Sequence, residues 1–254
     1  MMSYFSHQLP RKPRLLLRFG CWLALLALPA CAPQRPFYHP QAAQWAQRQP
    51  EAGPIAHQIF LVGDAGKPAQ EPLEPTLALL QQALRQAQAP ASVVFLGDNI
   101  YPRGLPDAQH PQYAQAAAHL QAQIEVAKAA SAQAVFVPGN HDWDKMGPDG
   151  LERVRRQEAF VQEALGREQA FLPQNGCPGP AEVPLGPHAV LLVIDTQWWL
   201  HEWDRGGEED GCEVASDWDF LIQLEAALRR HEGKRILVAA HHPLFSNGLH
   251  GGHV

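Results

Sequence analysis

The sequence lacks an apolar run long enough to cross a bilayer, which takes about 20 residues. Its N-terminal apolar stretches are only Leu15–Leu17 and Trp22–Leu28. It also lacks a Gly-rich loop followed by Lys, a nucleophilic serine elbow and a dinucleotide fingerprint. P-loop phosphoryl transfer, serine acyl transfer and Rossmann-type redox chemistry therefore have no motif to rest on. No solenoid-type repeat occurs. Basic clusters are missing outside the first thirty residues, and cysteines number only four.

Charge narrows the choice of partner. The chain carries 20 Lys and Arg against 26 Asp and Glu, a net charge of −6. Four of the bases, Arg11, Lys12, Arg14 and Arg18, fall in the first thirty residues, which hold no acid. Without that segment sixteen bases remain against 26 acids, a net charge of −10. Such a body repels a polyphosphate backbone, so no nucleic acid is expected as a partner.

The first 31 residues follow an export pattern: a basic stretch, an apolar run, then small residues. Leu28-Pro29-Ala30-Cys31 resembles a bacterial lipobox, with Pro29 atypical, which would lipidate Cys31 and tether the protein to a membrane. Ala30-Cys31-Ala32 also reads as an ordinary cleavage site. Either way the protein is expected to be exported to the cell envelope. Residues 32–54, rich in Pro, Gln and Ala, read as a tether. Residues 55–254 read as the folded domain. In an oxidising compartment Cys177 and Cys212, both in turn-like surroundings, are expected to form a disulfide, the alternative being two free thiols. Neither has a Cys or His partner at zinc spacing.

From Ile55 onward, short β-rich runs alternate with amphipathic stretches of helical length. The runs are Ile59–Val62, Val93–Leu96, Val135–Val137, Val190–Ile194 and Ile236–Ala239. Leu77, Leu80 and Leu84 mark one helical face; Leu120, Ile124 and Ala127 a second; Phe160, Val161, Ala164 and Leu165 a third; Phe220, Leu221, Leu224 and Leu228 a fourth. Residues 166–188 read as loop. Alternation of this kind predicts an α/β fold with its chemistry at the C-terminal strand ends.

Four of the runs lead into polar groups suited to binding a cation or a phosphate. They are Gly63-Asp64-Ala65-Gly66, Gly97-Asp98-Asn99-Ile100-Tyr101, Gly139-Asn140-His141-Asp142 and His241-His242-Pro243. A single Gly-Asp turn is bland, because both residues favour turns for backbone reasons. Four polar strand ends in this order form a specific pattern. It resembles the calcineurin-like metallophosphoesterases over residues 55–254. Within them it is most similar to the purple acid phosphatase type, since the first motif is Asp-x-Gly and Tyr101 stands three residues after Asp98.

The resemblance implies an α/β sandwich of two mixed sheets flanked by helices. It also implies two metal ions, iron with zinc, manganese or a second iron. Asp64 and Tyr101 would hold one metal and Asn140 and His241 the other, with Asp98 bridging. His141 would face the phosphate and aid the leaving group, with Asp142 orienting it from behind. The implied reaction is hydrolysis of a small phosphate ester, a monoester by the Tyr101 type of site, by hydroxide generated at the metals. Two close cations suit it, because together they hold a phosphoryl oxygen, activate water and stabilise the leaving oxygen. His242 is read as an exposed neighbour of the ligand. His250 is either a substrate-side catalytic residue or a plain loop residue.

A final Gly-His-x-His, expected in the family to supply further ligands, is not matched by Leu249-His250-Gly251-Gly252-His253-Val254. The expectation is a fragment of a longer protein, with a further C-terminal domain also allowed; the alternative has His250 and His253 as substitutes. Asp195-Thr196-Gln197-Trp198-Trp199 reads either as site rim or, preferably, as a strand end with core aromatics. Trp143 contacts substrate or caps its loop. Glu208-Glu209-Asp210 reads as a solvated turn. Rival functions are a phosphodiesterase of the same superfamily and an exported scaffold with an incomplete metal site.

Overall fold

The computed structural model describes residues 53–69, 73–130, 132–214 and 216–244. The chain divides into two units, Met1–Glu51 and Ala52–Val254, and the described residues belong to the second. The leader with Cys31, nearly all of the tether, and His250 and His253 lie outside them. No helix among the described residues is long and apolar enough to cross a membrane.

Two three-stranded sheets carry the fold. The first joins β1 (Gln58–Val62), β2 (Ala91–Phe95) and β3 (Gln133–Phe136) in sequence order, all parallel. Parallel neighbours need long crossovers, supplied here by α1 (Pro75–Arg85) and α2 (Tyr113–Ala129). In the second sheet β4 (Ala181–Pro184) runs antiparallel to β5 (Ala189–Val193), and β6 (Arg235–Ala239) runs parallel to β5. The expected mixing of strand direction thus belongs to the second sheet. β4 was not expected from the sequence, because its four residues include a Pro and lie in a Pro- and Gly-rich stretch.

Alternation along the central strands builds two cores. Val93 and Phe95 of β2 and Phe136 of β3 face the helices, against Leu77, Leu120 and Ile124. Val94, Val135 and Val137 face the other way and pack on Leu191, Val193 and Ala239 of the second sheet. The period of two sends neighbouring side chains to opposite faces. Full burial of each Val or Leu stabilises by roughly 1.5–3 kcal/mol. These strands are therefore continuous apolar runs because both faces are covered.

Local signals set the helix ends. Pro75 opens α1, and the Glu74 carboxylate accepts the Leu77 N–H at 3.1 Å. Helix α3 (Gly150–Leu165) stops at Gly166, whose φ of 63° suits a residue without Cβ. After the short α4 (Gln197–Leu200), Ser216 caps α5 (Asp217–Arg230) by accepting the Asp219 N–H.

The fourth apolar face differs from the sequence reading. Phe220 and Ala227 of α5 are buried, whereas Leu221 and Leu228 are exposed. One stripe at i, i+4 and i+7, through Phe220, Leu224 and Ala227, suffices to seat the helix, and its flanks stay in solvent. Leu237 and Val238 of β6 are also exposed, β6 being the last strand of its sheet among the described residues.

Candidate metal centre

The C-terminal ends of β1, β2, β3 and β6 deliver Asp64, Asp98, Asn140 and His241 to one place. Asp98 is its centre. This side chain is buried, and its two oxygens face different partners. Oδ2 accepts from the Tyr101 hydroxyl at 3.0 Å, and the same hydroxyl lies 2.9 Å from Asp64 Oδ1. Oδ1 accepts the His141 backbone N–H at 2.9 Å and lies 3.5 Å from His241 Nε2. That nitrogen is in turn 3.1 Å from Asn140 Oδ1. Asp64, Tyr101, Asn140 and His241 therefore gather around Asp98 as two pairs.

Backbone shape makes this convergence attainable. Asp64 and Asp98 adopt φ of 58° and 54°, a region that Asp tolerates better than most residues and that often marks strained functional turns. Gly97 has φ of 99°, and a Cβ there would lie 2.5 Å from His241 Nδ1. A Cβ on Gly139 would lie 2.5 Å from Asp98 Oδ1. The two glycines let the β2, β3 and β6 turns approach closely enough to share a site.

Ring orientation follows from the hydrogen bonds. His241 Nδ1 lies 2.8 Å from the Leu96 carbonyl, an acceptor only, so Nδ1 carries a proton. The ring so fixed turns Nε2 toward Asn140 and Asp98. His141 Nδ1 is fixed in the same way on the Pro102 carbonyl at 2.6 Å, leaving Nε2 3.9 Å from Asp98 Oδ2.

This corrects the expectation for Asp142. Its carboxylate does not orient the His141 ring; the Pro102 carbonyl does. Asp142 instead accepts N–H bonds from Gly139 at 2.8 Å, Asn99 at 3.0 Å and Ile100 at 3.1 Å, with the Asn99 side-chain amide at 3.1 Å. It ties the β2 turn to the β3 turn. Burial pushes its pKa up to about 8, against the pull of the Gly139 bond. Every hydrogen-bonding neighbour is a donor, so the surroundings are built for the carboxylate form.

The arrangement is short of positive charge. Among the described residues, neither Asp64 nor Asp98 is paired with a Lys or Arg, and a buried carboxylate without compensation is costly. Burial, then the Asp64 hydrogen bond, raises the Tyr101 pKa, so the phenol keeps its proton while it faces two carboxylates. No three His, Cys, Asp or Glu side chains among the described residues close on one point. Each half of the site instead takes one partner of another type, Tyr101 or Asn140. Carboxylate, phenol, amide oxygen and imidazole form a donor set for hard or borderline cations such as iron, zinc or manganese.

A family model for calcineurin-like phosphoesterases matches residues 57–254. The chain belongs to that family. Calcineurin-like phosphoesterases hydrolyse phosphate esters and normally bind two metals, and the two-sided surroundings of Asp98 fit such a pair. No curated protein matches the chain.

Other residues singled out in the sequence take the following places. Trp143 is fully buried and donates its indole N–H to Asp195 Oδ2 at 2.8 Å, so both residues are core rather than rim. Burial raises the Asp195 pKa to about 7, while the Trp143 and Gln197 bonds pull it down. His242 is not an exposed neighbour: it is half-buried and bonded to Thr196, and burial holds its pKa below the usual imidazole value. Pro102 and Leu96 act on the site through backbone carbonyls that no sequence motif announced, and Thr196, in the run also read as site rim, through its hydroxyl. Cys177 and Cys212 are disulfide-bonded with their Cα atoms 5.5 Å apart. Asp210 of the acidic turn pairs with Arg155.

Proposed function

We propose that this chain hydrolyses phosphate monoesters at a dinuclear metal centre of the purple acid phosphatase type. One metal would be held by Asp64 and Tyr101 and the other by Asn140 and His241, with Asp98 shared. The observation that carries the reading is the division of Asp98: one oxygen meets Tyr101 and the other faces His241. Both sides present acceptor atoms, and a shared carboxylate is what two close cations require. When bound, such a pair supplies an activated water and positive charge for the phosphoryl oxygens.

The remaining steps fall to side chains. Asp98 holds the two halves at a fixed spacing. Asn140 and His241 orient the second half, His241 through its bond to Leu96. His141, held at Nδ1 by Pro102, presents Nε2, the atom from which its imidazolium form would hand a proton to the leaving oxygen. Deprotonated Tyr101 would suit a trivalent ion such as iron, beside a divalent zinc, manganese or second iron.

The enzyme is further proposed to be exported and anchored in the cell envelope through lipidated Cys31. Its substrate is a small phosphate ester, and its net acidity argues against nucleic acid.

The test loads the full chain with iron plus zinc or manganese and compares an aryl phosphate with the matching bis-ester. Monoester turnover, with a visible tyrosinate band from ferric iron that Tyr101→Phe abolishes, supports the proposal. Faster bis-ester turnover would make it a phosphodiesterase, and absence of both turnover and metal uptake would leave a scaffold.

A further inference from the structure

The ends of β5 and β6 are joined by a side chain that the proposed reaction does not use. Thr196 Oγ accepts the His242 backbone N–H at 3.2 Å and lies 2.8 Å from Nδ1 of the same residue. A hydroxyl has one proton to give. It also has two lone pairs, so beside the amide bond it holds Nδ1 either as donor or as acceptor and fixes the ring in both cases. The ring so held meets His241 edge to face, with centroids 4.8 Å apart and planes at 75°. Adjacent histidines are thus each held at Nδ1, His241 by the Leu96 carbonyl and His242 by the Thr196 hydroxyl.

We propose that Thr196 is a positioning residue which acts through His242 on His241. The Leu96 bond fixes one atom of the His241 ring and leaves rotation about that contact. The edge of His242 limits this rotation and keeps His241 Nε2 aimed at Asp98 and Asn140, 3.5 Å and 3.1 Å away. His242 cannot do this alone, because without the hydroxyl its own ring is free to turn. Thr196 lies 45 residues before His241, so the latch also ties the orientation of that ring to the seating of β5 beside β6. The inference rests on reading His241 as a metal ligand only for its effect on affinity; its effect on the ring does not need the metal.

The test uses the full metal-free chain and Thr196→Val, which keeps the shape and removes the hydroxyl. Long-range proton–nitrogen spectra should show one tautomer each for His241 and His242 in the unaltered protein. In Thr196→Val, His242 should lose its single tautomer and the His241 signals should shift or broaden. Titration with zinc alone should show affinity about 10–100-fold weaker, as for loss of other partners that orient a metal-binding imidazole. Thr196→Ser should restore both readouts, whereas a merely steric role would be lost with the methyl group. His242→Phe, which keeps an aromatic edge without nitrogen, should reproduce the valine result and serves if the valine variant does not fold. His241 signals in Thr196→Val matching those of the unaltered protein would overturn the proposal, as would His242→Phe leaving them unchanged. If the unaltered chain takes up no zinc, the metal reading fails and the ring spectra alone decide the latch.

Discussion

His241 approaches Asp98 across the two sheets, with Nε2 3.5 Å from Oδ1, while its other nitrogen bonds the carbonyl of Leu96, two residues before Asp98. One imidazole therefore grips the β2 turn twice. The turn after β6 of the second sheet thereby fixes the turn after β2 of the first, and His241 cannot leave the site without parting the two sheets.

Asp98→Asn should remove activity more completely than any other single change at the site. It keeps shape but removes the negative charge and one of the two oxygens available to be shared, and leaves an amide N–H₂ facing either Tyr101 or His241. Metal content by elemental analysis should fall together with aryl phosphate turnover. Asp64→Asn should impair only the Tyr101 side and retain the larger share of metal.

His141→Ala should leave metal content intact and slow turnover roughly 10²–10⁴-fold, the range for loss of a general acid. The side chain touches Asp98 only at 3.9 Å, and its backbone N–H, which does bond Asp98, survives the substitution. Comparing aryl phosphates with good and poor leaving groups checks the role. The defect should shrink as the leaving group needs less protonation.

Replacing Cys177 and Cys212 together with Ser should lower stability by about 4 kcal/mol in the chain-entropy picture, since the bridge spans 35 residues. Denaturant midpoints of the oxidised protein and the double variant measure this. Equal midpoints would mean that the reduced loop is already held by its neighbours, Asp210 with Arg155 among them.

Asp195 makes stability fall as pH rises. Its pKa is about 7 in the fold and about 3.9 in an unfolded chain. Between those values the folded state binds more protons, so its contribution is fully present below about pH 4 and declines until about pH 7. It then levels off, a change of at most about 4 kcal/mol. Urea midpoints across pH 4–8 should show the decline, and Asp195→Asn should flatten it below pH 7 even if it lowers stability throughout.

Local chemistry alone was enough for much of this. β-rich runs ending in Gly-Asp or Gly-Asn turns announced β1, β2 and β3, and a three- to four-residue period announced α1, α2 and α3, because those patterns follow from backbone repeat and burial. Asp64, Asp98, Asn140 and His241 were legible as polar groups at strand ends, and it was the resemblance to calcineurin-like phosphoesterases that joined them with Tyr101 into one ligand set. Tertiary packing decided what lay beyond local reach. β4 exists because β5 offers it a partner, not because Ala181–Pro184 favours a strand. Asp142 turned from an expected support for His141 into the tie between two turns, because its carboxylate meets the amide of nearby Gly139 and those of Asn99 and Ile100, 43 and 42 residues away. His242 left the solvent for Thr196 for the same reason: hydrogen bonds between loops depend on how strands are seated side by side, and no local pattern of residues encodes that.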